Sequence, residues 1–473
     1  MLFNSLTFAL FFAVVLLLHN LPFPWHIKKL NLLIASYLFY AAWNPPFVIL
    51  LWLSTVLDWF VARGLYVEQR TSRRRLLLAA SLAGNLGLLG FFKYGEFLLR
   101  NWAGLMNLLG VAYVPPALDI ILPVGISFYT FQTMAYSLDV YLRRAAPARS
   151  FLDYALFVTF FPQLVAGPIV RPTDLVPQFA EPRRATTGQV VWGLALMIIG
   201  LFQKTVIADG ALGPAADAVY GAKTAPTALD AWLGTLAFSG QIFSDFAGYS
   251  TTAIGVSLCL GFSLTDNFRY PYAAIGFSDF WRRWHISLST WLRDYLYVPL
   301  GGNRKGHRRT YVNLMATMLL GGLWHGANWT FVVWGGLHGL YLAVERWLRE
   351  RIGPHGRLRG PTGRIGAALL TYVLVNITWV FFRSQDFPTA WRILRSMFGL
   401  NAEVKAVLPT IYILETVVVI GAMLGVHWVM RERKIEDVVA RMPWWLVGGA
   451  MATMMFLILI TQDEGHAFIY FQF

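Results

Sequence analysis

One cysteine, Cys259, occurs in the 473 residues, in the apolar run IGVSLCLGF. Without a second thiol, neither an internal disulfide framework nor a cysteine zinc site can be built. Charge is scarce as well: 14% of the residues are charged and 57% are hydrophobic, where a soluble domain carries about a quarter charged residues. That balance excludes an ordinary soluble enzyme and marks an integral membrane protein. The opening stretch MLFNSLTFALFFAVVLLLHN lacks the basic n-region and small-residue cleavage site of a signal peptide, so it is expected to be the first span. Polar linkers, repeats and low-complexity stretches are missing too, and one membrane domain is expected to fill residues 1–473. There is no P-loop for phosphate and no metal-ligand cluster.

What charge there is has one sign in excess, a formal +14. The basic residues sit in short clusters between apolar runs: RTSRRR (70–75), RRAAPAR (143–149), RKGHRR (304–309), RWLRERIGPHGRLRGPTGR (346–364) and RERK (431–434). Lys and Arg in short loops face the cytoplasm, so the charge reads as topology rather than nucleic-acid binding, and the N-terminus falls outside. At about twenty apolar residues per crossing, the chain predicts an all-α polytopic protein of about eleven to thirteen membrane helices. Runs that are short or carry Pro, Gly or charge are expected to be re-entrant.

Two polar motifs interrupt the apolar sequence. In MLLGGLWHGANWTF (318–331), His325 stands between Trp324 and Gly326. The run from Tyr311 to Leu323 gives about 20 Å of helix at about 1.5 Å per residue, too short for a hydrocarbon core of about 30 Å. The expectation is a half-crossing helix that breaks at GGLWHG and leaves His325 inside the membrane. Ionisable groups at such depth are costly and face a bundle interior or a water-filled cavity, although a lone histidine there can be a hydrogen-bonded packing residue. The second motif is DFWRRWHISLSTWLRDYLYVPLGGNRKG (279–306). On one continuous helix, Trp284, Leu288, Trp291, Leu292 and Tyr295 form an apolar stripe, and Arg282, His285, Ser289 and Arg293 a polar one. This predicts an interfacial helix with its tryptophans among lipid headgroups and His285 between two guanidinium groups.

These two motifs, with the ending FIYFQF and the segments FFKYGEF (91–97), ILPVGISFYTFQTMAYSLDVYL (121–142), FFPQLVAGPIVRPTDLVPQF (160–179) and FSDFAGYSTTAIG (243–255), resemble the membrane-bound O-acyltransferases (MBOAT). The likeness runs the length of the chain and is strongest to the bacterial branch that includes the alginate O-acetyltransferase membrane subunits. It implies an MBOAT-type ring of transmembrane and re-entrant helices around a thinner centre, with a central tunnel from a cytoplasmic funnel to an outward cavity. The catalytic histidine of the family lands on His325 and its second polar position on His285. The resemblance also implies acetyl-CoA as donor, an exopolysaccharide such as alginate as acceptor, periplasmic acetyltransferase partner proteins, and a multi-pass place in the bacterial inner membrane.

Acyl transfer from a thioester to a hydroxyl needs a base for the hydroxyl proton and donors for an oxyanion. An imidazole, with a pKa of about 6.5, suits the first task. His325 is therefore expected to be the general base, with a transient acyl-imidazole as the covalent alternative. His285 or Asn328 would orient the base or donate to the oxyanion. Arg282, Arg283, Arg293, Arg304 and Lys305 are candidates for the donor's phosphates, the competing explanation for each being positive-inside topology. Gln132, Asp245 and Trp324 are candidate tunnel-lining residues, and structural roles compete for Asp58, Gln132 and Asp245. His338 is expected to be packing. Two other readings stay open: D-alanyl or other acyl transfer from a carrier protein, and a proton-coupled transporter with the two histidines as relay groups.

Overall fold

In the computed structural model, residues 1–116, 118–353 and 360–461 are described; FIYFQF and part of the 346–364 basic stretch lie outside them. Apart from an isolated bridge between Pro226 and Lys405, the regular secondary structure of the described residues is helical. Among the described residues six helices are long and apolar enough to cross a membrane: Pro45–Val67, Thr71–Leu108, Thr187–Gly221, Pro361–Arg383, Thr410–Met430 and Trp444–Thr461. A helix satisfies its own backbone hydrogen bonds, which lipid cannot do, and the protein is an all-α polytopic membrane protein.

The chain groups into two units, Met1–Leu194 with Ala253–Thr265, and Ala195–Thr252 with the residues from Asp266 onward. In the first, helices α1 (Val48–Val67), α2 (Thr71–Leu108) and α3 (Ile126–Tyr141) share a buried polar knot. The Asp58 carboxylate of α1 accepts hydrogen bonds from Ser81 and from Asn85 Nδ2 (2.6 Å) on α2 and from Ser137 Oγ (2.6 Å) on α3. Donors from two helices thus offset the desolvation of one carboxylate. Gln132 lies buried on α3.

Helices α4 (Thr187–Leu201), which runs on as the π-helical segment Phe202–Leu212, and α5 (Ala228–Cys259) each pass from one unit to the other, and their parts in the second unit pack together. Gly200 and Gly248 let the two backbones meet, since a Cβ at Gly200 would sit 2.5 Å from the Gly248 carbonyl oxygen. Lys204 reaches Asp209 at 2.9 Å and Asp245 of α5 at 2.5 Å. Lys204 and Asp209 are five residues apart, one π turn, which brings them onto one face.

Four further helices build the site: α6 (Phe277–Arg283), α7 (Ile286–Leu292), α8 (Gly306–His325) and α9 (Trp329–Ile352). The helix ending at His325 has 20 residues, but it opens on the basic GHRRT turn and is not among the helices apolar enough to cross; it ends within GGLWHG. Gly321 and Gly322 do not interrupt it: Gly322 lies against the backbone of Phe331 and Gly335 on α9, and that packing offsets the poor helix propensity of glycine. The break comes one residue after His325, where Gly326 is extended at φ −162°, ψ 150°.

The expectation that fails is the continuous amphipathic helix over 279–306. His285 adopts φ 43°, ψ 55°, a left-handed conformation that separates α6 from α7 and costs about 1–2 kcal/mol for a residue with a Cβ. The stripes therefore do not run through. Trp284, Leu288, Trp291, Leu292 and Tyr295 are all buried in protein, so Trp284 and Trp291 are core residues rather than headgroup anchors.

Candidate active site

α8 and α9 form a tight hairpin because glycines face each other across it. A Cβ on Gly335 would overlap the Met318 carbonyl, and one on Gly326 would overlap the Phe331 ring. The hairpin fixes His325 at the last turn of α8. Its Nδ1 lies 2.7 Å from the Gly321 carbonyl oxygen. A carbonyl accepts and never donates, so Nδ1 carries the proton and the lone pair of the neutral ring is on Nε2. The ring is buried, with Trp334 at 4.8 Å, Trp324 at 5.0 Å and Phe382 at 5.5 Å between centroids. These walls hold one ring orientation and limit water.

His285 is fully buried and sits at the α6–α7 break. Its Nδ1 is 3.1 Å from Asn267 Oδ1, which again leaves the neutral lone pair on Nε2. Phe246 meets the ring edge-on at 4.6 Å, and the Trp324 indole, 6.1 Å away, also touches His325. His285 and His325 are close enough for charge on one to be felt by the other. Trp324 is thus in contact with both imidazoles.

The guanidinium cage expected around His285 is not there. Arg282 and Arg293 are exposed, and Arg293 pairs with its neighbour Asp294 at 2.6 Å. The break at His285 puts the three residues on different elements, which removes the shared stripe. Arg283 is engaged by Asp279 (2.9 Å), the Arg431 carbonyl (2.8 Å) and Glu432 (3.1 Å). Arg304 and Lys305 are exposed in the turn before α8. Burial works to raise the Asp279 pKa, but the Ile275 amide and the guanidinium groups of Arg431 and Arg283 outweigh it and hold the carboxyl below its ordinary value.

Asn328 caps α9: its Oδ1 accepts from the Thr330 amide at 3.0 Å and its Nδ2 donates to the Gln385 carbonyl at 2.7 Å. Both ends of this amide serve the backbone next to the site. Asp245 is tied to Lys204. His338 on α9 bonds Thr378 Oγ1 at 3.0 Å and packs on Trp334 and Trp281. Sequence reasoning missed Asn267, which lies 18 residues before His285 in a loop with no motif to mark it.

Each neutral imidazole carries its basic nitrogen at Nε2 among aromatic side chains, a group able to take the proton of a hydroxyl, and no cluster of metal-ligating residues occurs among the described residues. Residues 143–355 match the model of the MBOAT, membrane-bound O-acyltransferase family, a stretch that holds both histidines. The chain is 43% identical over 403 residues to a protein of Azotobacter vinelandii named "Probable alginate O-acetylase", covering 84% of this chain and 78% of the relative. It is 40% identical over 399 residues to the "Peptidoglycan O-acetyltransferase" of Helicobacter pylori, covering 79% and 74%. With the "Teichoic acid D-alanyltransferase" of Bacillus subtilis the identity is 29% over 256 residues, 50% of this chain and 62% of the relative. A helical membrane scaffold, a buried histidine pair and likeness over most of the chain have one explanation: this protein belongs to the membrane-bound O-acyltransferase family and is an O-acyltransferase.

Proposed function

We propose that the enzyme moves an acetyl group from acetyl-CoA on the cytoplasmic side to hydroxyls of an extracytoplasmic polysaccharide such as alginate, working in the bacterial inner membrane with periplasmic partner proteins. His325 is the general base. Its Nε2 takes the proton of the acceptor hydroxyl as the oxygen attacks the thioester carbonyl; the tetrahedral intermediate collapses, the C–S bond breaks, and the proton leaves with the CoA thiol. His285, whose neutral ring has already committed its N–H to Asn267, accepts through Nε2 from a neighbouring hydroxyl of the acceptor sugar and so orients it.

The observation that carries this reading is the Nδ1–Gly321 hydrogen bond, which directs the basic nitrogen of His325 away from its own helix. The identity to the "Probable alginate O-acetylase" of Azotobacter vinelandii extends over far more of the chain than that to the D-alanyltransferase, which favours acetyl over D-alanyl transfer. Exposed Arg282, Arg293, Arg304 and Lys305 supply the positive charge that a CoA diphosphate requires.

The test measures O-acetyl content of the host's exopolysaccharide with wild type, His325→Ala and His285→Ala at matched levels in the membrane, together with thiol release from acetyl-CoA in membrane vesicles. Loss of a general base predicts a fall of about 10²–10⁴-fold for His325→Ala in both readouts. Unchanged acetylation would make His325 a packing residue. Transfer that ignores acetyl-CoA but follows an acyl-carrier protein would move the donor assignment to the D-alanyl type.

A further inference from the structure

Asn267 belongs to the loop that follows α5, and it is 1% exposed. Its orientation is fixed by what surrounds it. The Ser287 amide donates to Oδ1 at 3.2 Å, and a backbone N–H has no other role, so that atom is the oxygen. The Ser287 hydroxyl donates to the same oxygen at 2.9 Å, while Nδ2 donates to Ser250 Oγ on α5 at 3.1 Å. His285 Nδ1 is then forced to be the donor in its 3.1 Å contact with Oδ1. The backbone joins in: the Ile286 amide donates to the Asn267 carbonyl at 2.9 Å, and the Arg269 amide to the Arg283 carbonyl at 2.9 Å. The two segments therefore clasp His285 from both sides in its left-handed conformation.

We propose that Asn267 is the positioning residue of the second histidine: its side-chain oxygen sets the tautomer and ring angle of His285, and Ser250 anchors the amide to α5. This rests on the reading of His285 as the group that orients the acceptor sugar. Asn267 touches no reacting atom and acts through the imidazole alone. From α5 the ring meets Phe246, from the Asn267 loop Phe268, and from α8 Trp324; the charge of His325 also reaches it. A charge placed at position 267 would act on the ring directly across the 3.1 Å Nδ1–Oδ1 contact.

The test follows acetyl incorporation from acetyl-CoA in membrane vesicles, across pH, for wild type, Asn267→Asp, Asn267→Ala and His285→Ala. Asn267→Asp keeps the shape and the acceptor oxygen but puts a carboxylate beside the imidazole, which favours the cation. The acid limb of the kcat profile should move to higher pH by about one unit. Asn267→Ala should lower kcat by about 10–100-fold, by analogy with removing the orienting partner of a metal-bound histidine, with KM for acetyl-CoA unchanged. Should Asn267→Ala fail to accumulate, the isosteric Asp variant carries the test. An unshifted pH profile for Asn267→Asp at wild-type level, with His285→Ala inactive, overturns the positioning role and leaves His285 standing. Wild-type activity in His285→Ala overturns the reading of His285 itself, and the proposal with it.

Discussion

Replacing Gly335 by alanine strikes the contact that sets where His325 sits. The new Cβ would overlap the Met318 carbonyl oxygen and lie 3.0 Å from Met318 C and 3.1 Å from Gly322 Cα. Carbon atoms rest about 3.5–4.0 Å apart, and every obstacle is backbone, so relief requires α8 and α9 to part by roughly 0.5–1 Å. Overpacking of this kind costs about 1–3 kcal/mol, while the helix propensity of alanine over glycine offsets about 1 kcal/mol. Net destabilisation is then about 0–2 kcal/mol, which lowers the thermal midpoint by only a few degrees in a protein of this size. The rate is the more sensitive readout, since His325 rides at the end of α8 and a displacement of about 1 Å can cost about 10²-fold. Acetyl incorporation from acetyl-CoA and a thermal-shift measurement in detergent, made side by side, should show activity falling by about one to two orders of magnitude with a modest change in midpoint. Gly336→Ala is the control: its Cβ meets the tip of a flexible side chain, Leu319 Cδ2, at 3.3 Å. If Gly335→Ala turns over as fast as Gly336→Ala, helix spacing does not govern the base.

Other perturbations test separate parts of the molecule. Asn328→Ala removes the cap on Thr330 and the bond to Gln385, and should lower stability by about 1 kcal/mol, measured by thermal shift. Lys204→Met leaves Asp209 and Asp245 side by side without their cation, whereas Asp245→Asn leaves one ion pair intact; the first should cost about 3–5 kcal/mol and the second clearly less, so equal midpoints would refute the pairing. Asp279, whose folded pKa is depressed, contributes stability that is present above its unfolded pKa of about 3.9 and is lost as pH falls through the lower folded value. Asp279→Asn should therefore lower the midpoint at neutral pH and flatten its decline in acid, and an unchanged acid limb would count against the network with Arg283 and Arg431.

The class of protein and the two histidine motifs are legible in the sequence because both rest on composition and local pattern. A chain with this little charge has few places to keep an imidazole, and WHIS and WHG stand out against apolar neighbours. What the sequence conceals is decided by contacts between distant residues. Gly321 and Gly322 suggest a break, yet Phe331 and Gly335 pack against Gly322 and keep the helix going to His325. Nothing in TRP-HIS-ILE-SER, which lacks glycine, warns of a positive φ at His285; that conformation is held from Asn267, 18 residues away. Arg282 and Arg283 are neighbours with different fates, one exposed and one locked to Asp279 and Glu432, because helix α6 turns them to different sides.

The hydrogen bond from His325 Nδ1 to the Gly321 carbonyl spans the final turn of α8. Local opening costs less free energy than unfolding the whole molecule, so a local opening of this buried turn and its aromatic walls would release the imidazole to rotate and exchange its tautomer. The base therefore reports on the integrity of that turn: on heating, turnover should fade reversibly below the temperature at which the helices come apart, and cooling should restore it without any refolding of the bundle.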